Sequence, residues 1–375
     1  MPWESTSAGK TFQQLAKQYN DFAVPAYLLL IDGKEMKPAD LQITDISAKL
    51  TSDFEMNSCE FNVAASYNQE KGKLDPDIYT LLKPGKSVDL KMGYGTPEDG
   101  VFKGYINSLS FSFNSGGIDV FVQCLDAKGA LVKSNKWLTH SSEKISALVE
   151  KILKAKCSKY ADIKVGTLTF DPNIELNKNR QEIDDYHFII ELAKIVNASF
   201  CVVYDTLNFC DNLGNTAKEK VRLKWGESLM EFSTEINLSG QVGSVNIHGT
   251  DPQTQEHFST DANSVKGSGT EAAAVATIVG NRSIDEVSTK VIDKNQATKL
   301  ADSRLQALAS KFSRCRGKTI GIPIIKAGDR IGVSGMGSGI DGTYFLTQVT
   351  HRINGQGYET SFEGQRSKIT IGQGR

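Results

Sequence analysis

Apolar residues recur along this chain in two periods, and the changes of period mark out its elements. Phe12, Leu15, Ala16 and Tyr19 fall at the i, i+3, i+4, i+7 spacing of one helical face. From Pro25 the period shortens to two. Pro25–Ile31 is a short apolar run stopped by Asp32-Gly33, a two-residue hairpin signal. Cys59, Phe61 and Val63 alternate with Glu60, Asn62 and Ala64, and Val88, Leu90 and Met92 alternate with Asp89 and Lys91. Leu109, Phe111 and Phe113 alternate with serines and an asparagine, and Gly116-Gly117 turns the chain into Ile118, Val120, Val122 and Cys124. Short alternating strands of this kind predict a small barrel or sandwich ending near Asp126.

The helical period returns at Thr139. Ile145, Leu148, Val149, Ile152 and Leu153 share one face, with Ser141 or Ser142 as the expected cap and Glu143 in the first turn. A second helix is predicted over Asp184–Val196, with Asp184-Asp185 capping it and Asn197 taking a left-handed stop. SFCVVYD then reads as a strand, and this α/β block runs to about Thr216. Strand patterns return at Ser244–His248. His257–Gly280, rich in Ser, Thr, Gly and Ala, reads as a linker or exposed excursion. Ala297, Leu300, Ala301, Leu305, Leu308 and Phe312 form a helical stripe, and Asp293 with Gln296 resembles a capping box. Ile320–Gly364 is again short strands and glycine turns.

An internal repeat organises these pieces. Shifting the chain by 328 − 85 = 243 positions lays LKPGKSVDLKMGYGTPEDGVFKGYI over IKAGDRIGVSGMGSGIDGTYFLTQV without a gap. Gly85 then meets Gly328, Val88 meets Ile331, Leu90 meets Val333, Phe102 meets Phe345 and Ile106 meets Val349. A turn glycine and a period-two apolar face are what a strand–loop–strand unit must keep. The expected fold is therefore mixed, β-dominated α+β: two related small β-barrel domains with an inserted α/β domain. The expected divisions are an amphipathic extension (1–22), a first barrel (23–126), the insert (127–218), a second barrel (219–257 and 313–366), a linker and helix (258–312) and a tail (367–375).

Composition narrows the function more than it names it. The 375 residues carry 43 basic and 44 acidic side chains, a formal charge of -1, which argues against a nucleic-acid coat or a binder of anionic membranes. No apolar run reaches the ~18 residues a spanning helix needs. MPWESTSAGK lacks the basic and apolar regions of a secretory signal, so a soluble protein made in the bacterial cytoplasm is expected. Cys59, Cys124, Cys157, Cys201, Cys210 and Cys315 form no CxxC pair and read as reduced structural residues. Gly337–Gly342 matches GxGxxG, but a phosphate-binding loop needs a helix after it, and here both flanks read as strands. There is no GxSxG elbow and no HExxH helix. His140, His187, His248, His257 and His351 lack ligand spacing. No enzyme, metal or cofactor is expected.

Four stretches in order carry a family resemblance. They are LKPGKSVDLKMGYG…GVFKGYINSL, IDDYHFIIELAKIVNASFCVVYDTLNFCD, LMEFSTEINLSGQVGSVNIHGTDPQTQ and GKTIGIPIIKAGDRIGVSGMGSGIDGTYFLTQVTHRINGQGYETSFEG. In the last, Gly328, Ile331, Val333, Gly335, Gly342, Tyr344, Val349, His351, Tyr358, Thr360 and Glu363 fall where a recurrent ending has glycines, valines, Tyr, His and Thr-Glu. The chain thus resembles the phage late control D family, which includes the hub portion of VgrG-type proteins and baseplate hubs of contractile tails. That resemblance implies a homotrimeric structural hub in a phage tail or phage-tail-like injection particle. Its partners would be itself, a hexameric tail tube protein, a trimeric spike and other baseplate proteins. VgrG-type chains continue into a spike and this chain stops at Arg375, so a separate spike is expected. The segment Phe12–Tyr19 has no counterpart in the resemblance and is left to dock on another baseplate component. Two alternatives remain: a glycan-binding or adhesin-like module using Trp3, Trp137 or Trp225, and a cell-wall hydrolase of the tail tip.

Overall fold

A computed structural model describes residues 9–68, 70, 72–115, 117–132, 138–140, 144–157, 163–169, 179–181, 183–196, 198–211, 219–251, 254–264, 282–288, 294–337 and 339–367. The chain begins by clasping itself. Thr11 caps α1 (Phe12–Gln18) in a capping box with Gln14, and the helix turns Leu15 and Tyr19 into the main core. Lys10 lies beside residues 220–222, donating to the Lys220 carbonyl at 2.9 Å and accepting from the Arg222 N–H at 2.9 Å. At the far end of the segment the Tyr19 hydroxyl donates to Asp99 at 2.9 Å, and Phe22 meets Tyr94 edge-on at 5.2 Å. The segment Phe12–Tyr19, expected to dock on another baseplate component, is instead packed within its own chain.

The first half contains β1 (Pro25–Ile31), β2 (Lys34–Glu35), β3 (Gln42–Thr51), β4 (Ser58–Asn68), β5 (Lys73–Asp75), α2 (Ile78–Leu81), β6 (Ser87–Tyr94), β7 (Asp99–Asn114) and β8 (Gly117–Leu125). Its strands run β3-β4-β8-β7-β6-β1-β2, every neighbour antiparallel. Asp32 and Gly33 close the first hairpin at φ 49° and 76°, a left-handed pair that Asp-Gly accepts readily. The inward positions Ile46, Ala48, Cys59, Phe61, Val88, Leu90, Val120 and Val122 are all buried in one core.

The insert follows as β9 (Leu138–His140), α3 (Ile145–Lys156), β10 (Lys164–Thr169), β11 (Asn179–Gln181), α4 (Asp185–Val196), β12 (Ala198–Val203) and β13 (Thr206–Asp211). A three-stranded sheet, β10-β13-β12, shares a separate core with both helices. Asp184 caps α4, accepting the His187 N–H at 2.8 Å. Lys144, not a serine, occupies the N-cap position of α3 and offers no side-chain cap. Ser141, Ser142, Glu143 and the proposed stop at Asn197 lie outside the described residues.

The second half has β14 (Glu219–Lys224), β15 (Leu229–Ile236), β16 (Ser244–Thr250), β17 (His257–Ala262), β18 (Ser283–Val287), α5 (Lys294–Ser310), β19 (Ser313–Ile320), β20 (Arg330–Ser334), β21 (Gly342–Asn354) and β22 (Gly357–Arg366). The barrel strands run β14-β20-β21-β22-β19-β15. Only residues 225–228 separate β14 from β15, so the two ends of this row are brought close together by the chain. β16, β17, β18 and α5 stand outside the barrel sheet. β17-β16-β18 form their own sheet, and α5 covers it with Ala297, Leu300, Ala301 and Leu305 over Val245, Ile247 and Ala262. This corrects the expected boundaries: β16 is not part of the second barrel, and the Ser/Thr-rich stretch opens with a strand whose polar alternation hid it. The two halves join where β3 pairs with β21, making one 14-stranded sheet.

A buried ion pair locks the insert to the first half. Asp126 and Lys128 are fully enclosed, with Nζ and carboxylate 3.8 Å apart. Asp126 also accepts the Asn57 N–H at 2.8 Å and the Lys128 N–H at 2.9 Å, while Lys128 donates to the Glu55 carbonyl. The Asn57 side chain donates to the Val202 carbonyl in the insert at 2.8 Å. Burial raises the Asp126 pKa, with Lys128 opposing it. Lys128→Met should cost about 3–5 kcal/mol, because it strands a buried carboxylate. The double variant D126N/K128M should cost clearly less than the sum of its singles, as thermal unfolding of all three will show.

Candidate assembly surfaces

The repeat can be followed hydrogen bond by hydrogen bond. Gly85 and Gly328 sit at φ 90° and 92°, a left-handed turn that suits glycine. The Gly85 N–H donates to the Ile106 carbonyl at 2.7 Å, and Gly328 makes the same bond to Leu346 at 2.8 Å. Ile106 therefore corresponds to Leu346, an offset of 346 − 106 = 240 rather than 243. Opposite Val88 stands Gly104, and opposite Ile331 stands Tyr344. Both halves also slip register at one place, between Ile106 and Ser108 and between Leu346 and Gln348. Gly85/Gly328, Val88/Ile331 and Leu90/Val333 keep the expected equivalence, while Phe102/Phe345 and Ile106/Val349 do not. Phe345 is half-buried between the buried Tyr344 and Leu346. Val349 is buried, but it matches Leu109. An odd slip should flip every side chain to the other face. The extra residue at Thr347 flips it back, and so the three-residue difference was invisible in the apolar pattern.

The seam between the halves holds a buried polar cluster. His351 has its Nε2 2.9 Å from the Ile325 carbonyl, and its Nδ1 faces the hydroxyls of Tyr358 at 2.9 Å and Thr360 at 3.0 Å. Tyr94 donates to the Gly321 carbonyl at 2.9 Å and packs on Tyr358. Lys326, between Asp99 and Asp329, donates to the Gly100 carbonyl. Burial lowers the Lys326 pKa to about 7 and the His351 pKa to about 3, Lys326 adding to the latter. Tyr94 and Lys326 fasten the halves together, while His351 faces a carbonyl and two hydroxyls of the second half.

Elsewhere the chemistry stays dispersed. The GxGxxG loop joins β20 to β21, so no helix N-terminus meets it; Asp341 accepts the Gly335 and Met336 N–H groups at 3.2 and 2.8 Å. His187 contacts Asp184, His248 contacts Asp285 and His257 contacts Thr250. Among the described residues, no three His, Cys, Asp or Glu side chains converge as a metal site. Cys59, Cys124, Cys157, Cys201 and Cys315 are buried and in no disulfide, and burial pushes the Cys157 and Cys315 thiols up to about 12. Trp225 is exposed, while Trp3 and Trp137 lie outside the described residues. Two open grooves of about 480 and 430 Å³ run beside β15, β19 and β22; Arg316 and Glu363 line both, and Phe232 and Phe362 line the first.

What the surface does offer is strand edge. β7 runs past the end of β6, and residues 108–114 pair with β8 alone. β15 ends its row. Phe113 and Met230 are exposed beside these edges.

Residues 26–355 match the family model described as the Alg8 N-terminal domain. The chain belongs to that family. A search of curated proteins finds no match. Among solved structures, the prophage MuSo2 43 kDa tail protein of Shewanella oneidensis is 14% identical, with TM-score 0.66 over 92% of this chain and 98% of that one. A tail protein of Neisseria meningitidis MC58 gives the same values: 14%, 0.66, 92% and 98%. The E. coli c3393 protein, a component of the type VI secretion system, is 13% identical with TM-score 0.57 over 91% of this chain and 77% of that one. At such identities the likeness is one of fold. It extends across both barrels and the insert, and the β-dominated α+β architecture is that of these tail proteins.

Two outcomes test the core and the seam. Ile331→Asp should unfold the second barrel, at a cost of several kcal/mol for an unpaired buried charge, measured by chemical denaturation. His351 has a folded pKa of about 3, below its unfolded value, so the unfolded chain takes up the proton first. Its contribution is complete above about pH 6.5 and is lost as pH falls toward 3, at about 1.4 kcal/mol per pH unit. His351→Gln should flatten that part of the stability–pH curve.

Proposed function

We propose that this chain is the structural baseplate hub of a contractile phage tail or phage-tail-like injection particle. Three copies form a ring that joins a hexameric tail tube to a separate trimeric spike. The observation that carries this reading is the duplicated barrel within one chain, fused by the β3–β21 ladder into a single sheet. A threefold protein offers three copies of any one site, whereas a hexameric tube needs six. Two related barrels per chain repair the mismatch. The resemblance to late control D and VgrG-type hubs supports the same role, as do the tail-protein folds that span nine-tenths of the chain.

Contacts to the tube come mainly from backbone and strand edges, because the two barrels share shape and ladder geometry more than side-chain identity. Val88 and Ile331 match, but Gly104 faces one and Tyr344 the other. The role is structural rather than catalytic. It needs no cofactor, no nucleic-acid sequence recognition and no insertion of this chain into a membrane. Native mass spectrometry of the assembled hub should give three copies of the 41.0 kDa chain; a stable dimer contradicts the reading. Clearing of a peptidoglycan zymogram by the purified protein would count equally against it, in favour of a tail-tip hydrolase.

A further inference from the structure

Two cysteines face each other across the first half. Cys59 on β4 stands directly opposite Cys124 on β8, and both side chains are wholly buried on the inward face. Their thiols are in hydrogen-bond contact. The row across the sheet runs Ala48, Cys59, Cys124, Ile106. Its counterpart in the second half runs Thr234, Cys315, Gly364, Leu346. Cys315 therefore has a glycine opposite it, and a Cβ on Gly364 would lie 3.1 Å from its Sγ. One half holds a paired thiol, and the other holds a matched single thiol.

We propose that Cys59 and Cys124 are a redox-active dithiol that closes to a cross-strand disulfide when the chain meets a small-molecule disulfide. Residues opposite each other in an antiparallel ladder hold their Cα atoms about 4.5–5.5 Å apart, inside the ~4.4–6.8 Å range of disulfides. Their Cβ atoms stand about 4.5–5.5 Å apart, against ~3.5–4.5 Å in a disulfide, so closure draws β4 and β8 together. A bond closed under such strain is readily reduced, which suits a switch better than a permanent staple.

The exchange balances with that one oxidant. One cysteine thiolate attacks the small disulfide, whose S–S bond breaks and expels one thiolate. The second cysteine then attacks the mixed disulfide and expels the other. Two electrons pass from the pair to the oxidant, and the two thiol protons end on the expelled thiolates. Burial holds the Cys124 thiol well above its ordinary pKa, so attack waits on local opening. Cys59–Cys124 lies one pair from the end of the β4–β8 ladder, and β7 slips register beside Cys124, so opening is local.

Asn57 and Asp126, each two residues from a cysteine, make the 2.8 Å bond that ties this end of the ladder, and Asn57 holds the insert at Val202. Oxidation fastens β4 to β8 beside that joint, linking residues 124 − 59 = 65 positions apart. In a reducing cytoplasm the thiols persist. The oxidising surroundings of a released particle rest on the hub reading, whereas the bond itself does not.

Oxidised glutathione is the probe. The full chain is equilibrated in buffers from excess reduced to excess oxidised glutathione, with urea held below the unfolding transition so that opening does not limit exchange. After acid quenching and alkylation of the denatured chain, peptide mass spectrometry maps each cysteine. Cys59 and Cys124 should be joined in excess oxidised glutathione and return to thiols in excess reduced glutathione, while Cys315 is not joined to either. Cys124→Ala should remove the bond, leaving Cys59 as a thiol or a glutathione adduct. A pair that stays reduced in excess oxidised glutathione overturns the proposal, as do separate glutathione adducts on Cys59 and Cys124. A bond that survives excess reduced glutathione overturns it too, since that is a permanent structural disulfide. None of these results bears on the hub reading, which native mass spectrometry tests.

Discussion

Everything in this molecule is arranged around the ladder between β3 and β21. It runs from Thr51 opposite Gln348 to Asp45 opposite Asn354, and Arg352 pairs with Asp45 across it. Without it there would be two curled sheets on a tether. With it, the strands of both halves belong to one hydrogen-bonded system and share one apolar core, from Leu29 and Phe61 to Tyr344 and Phe362. The surface each barrel presents is thereby fixed relative to the other by backbone geometry rather than by side-chain contact alone.

The seam is strengthened by groups whose removal from water is unfavourable. His351, Lys326 and Tyr358 are enclosed at the junction and answered by carbonyls and hydroxyls. Asp126 and Lys128 do the same at the insert. Buried polar groups of this type contribute little net stability compared with apolar residues of equal volume. They do penalise any arrangement in which their partners are missing, so a misdocked half leaves unsatisfied charge behind. The N-terminal segment adds a clasp of another kind, running from residues 220–222 of the second half to Asp99 and Tyr94 of the first.

Duplication did not produce two copies of one object. β1 lies antiparallel to β6, whereas β14 lies parallel to β20. The interval from Val88 to its partner Gly104 is 16 residues, and that from Ile331 to Tyr344 is 13. What persists is the glycine turn, the bulge after Ile106 and Leu346, and the inward apolar face. These are the features that set strand direction and curvature. Loops and edge partners, which do not, have diverged.

Local sequence determined a good deal. Asp32-Gly33 specified a tight turn because few other residue pairs accept two left-handed conformations in a row. The alternations at Cys59–Val63, Val88–Met92 and Ile118–Cys124 specified strands with one buried face, and Asp184 specified the start of α4. The duplication was visible for the same reason, since apolar periodicity survives when identity does not. Tertiary structure alone decided the rest. The register of the second repeat hung on a bulge at Thr347, and a bulge leaves no mark in an alternating pattern because it restores the face it disturbs. β17 and β18 were hidden in polar sequence, since a strand covered on one side by a helix needs few apolar residues. The docking of α1 and the partner of β3 depend on residues more than 200 positions away. Which edges meet, and which stay open, is a property of the assembled sheet that no local pattern encodes.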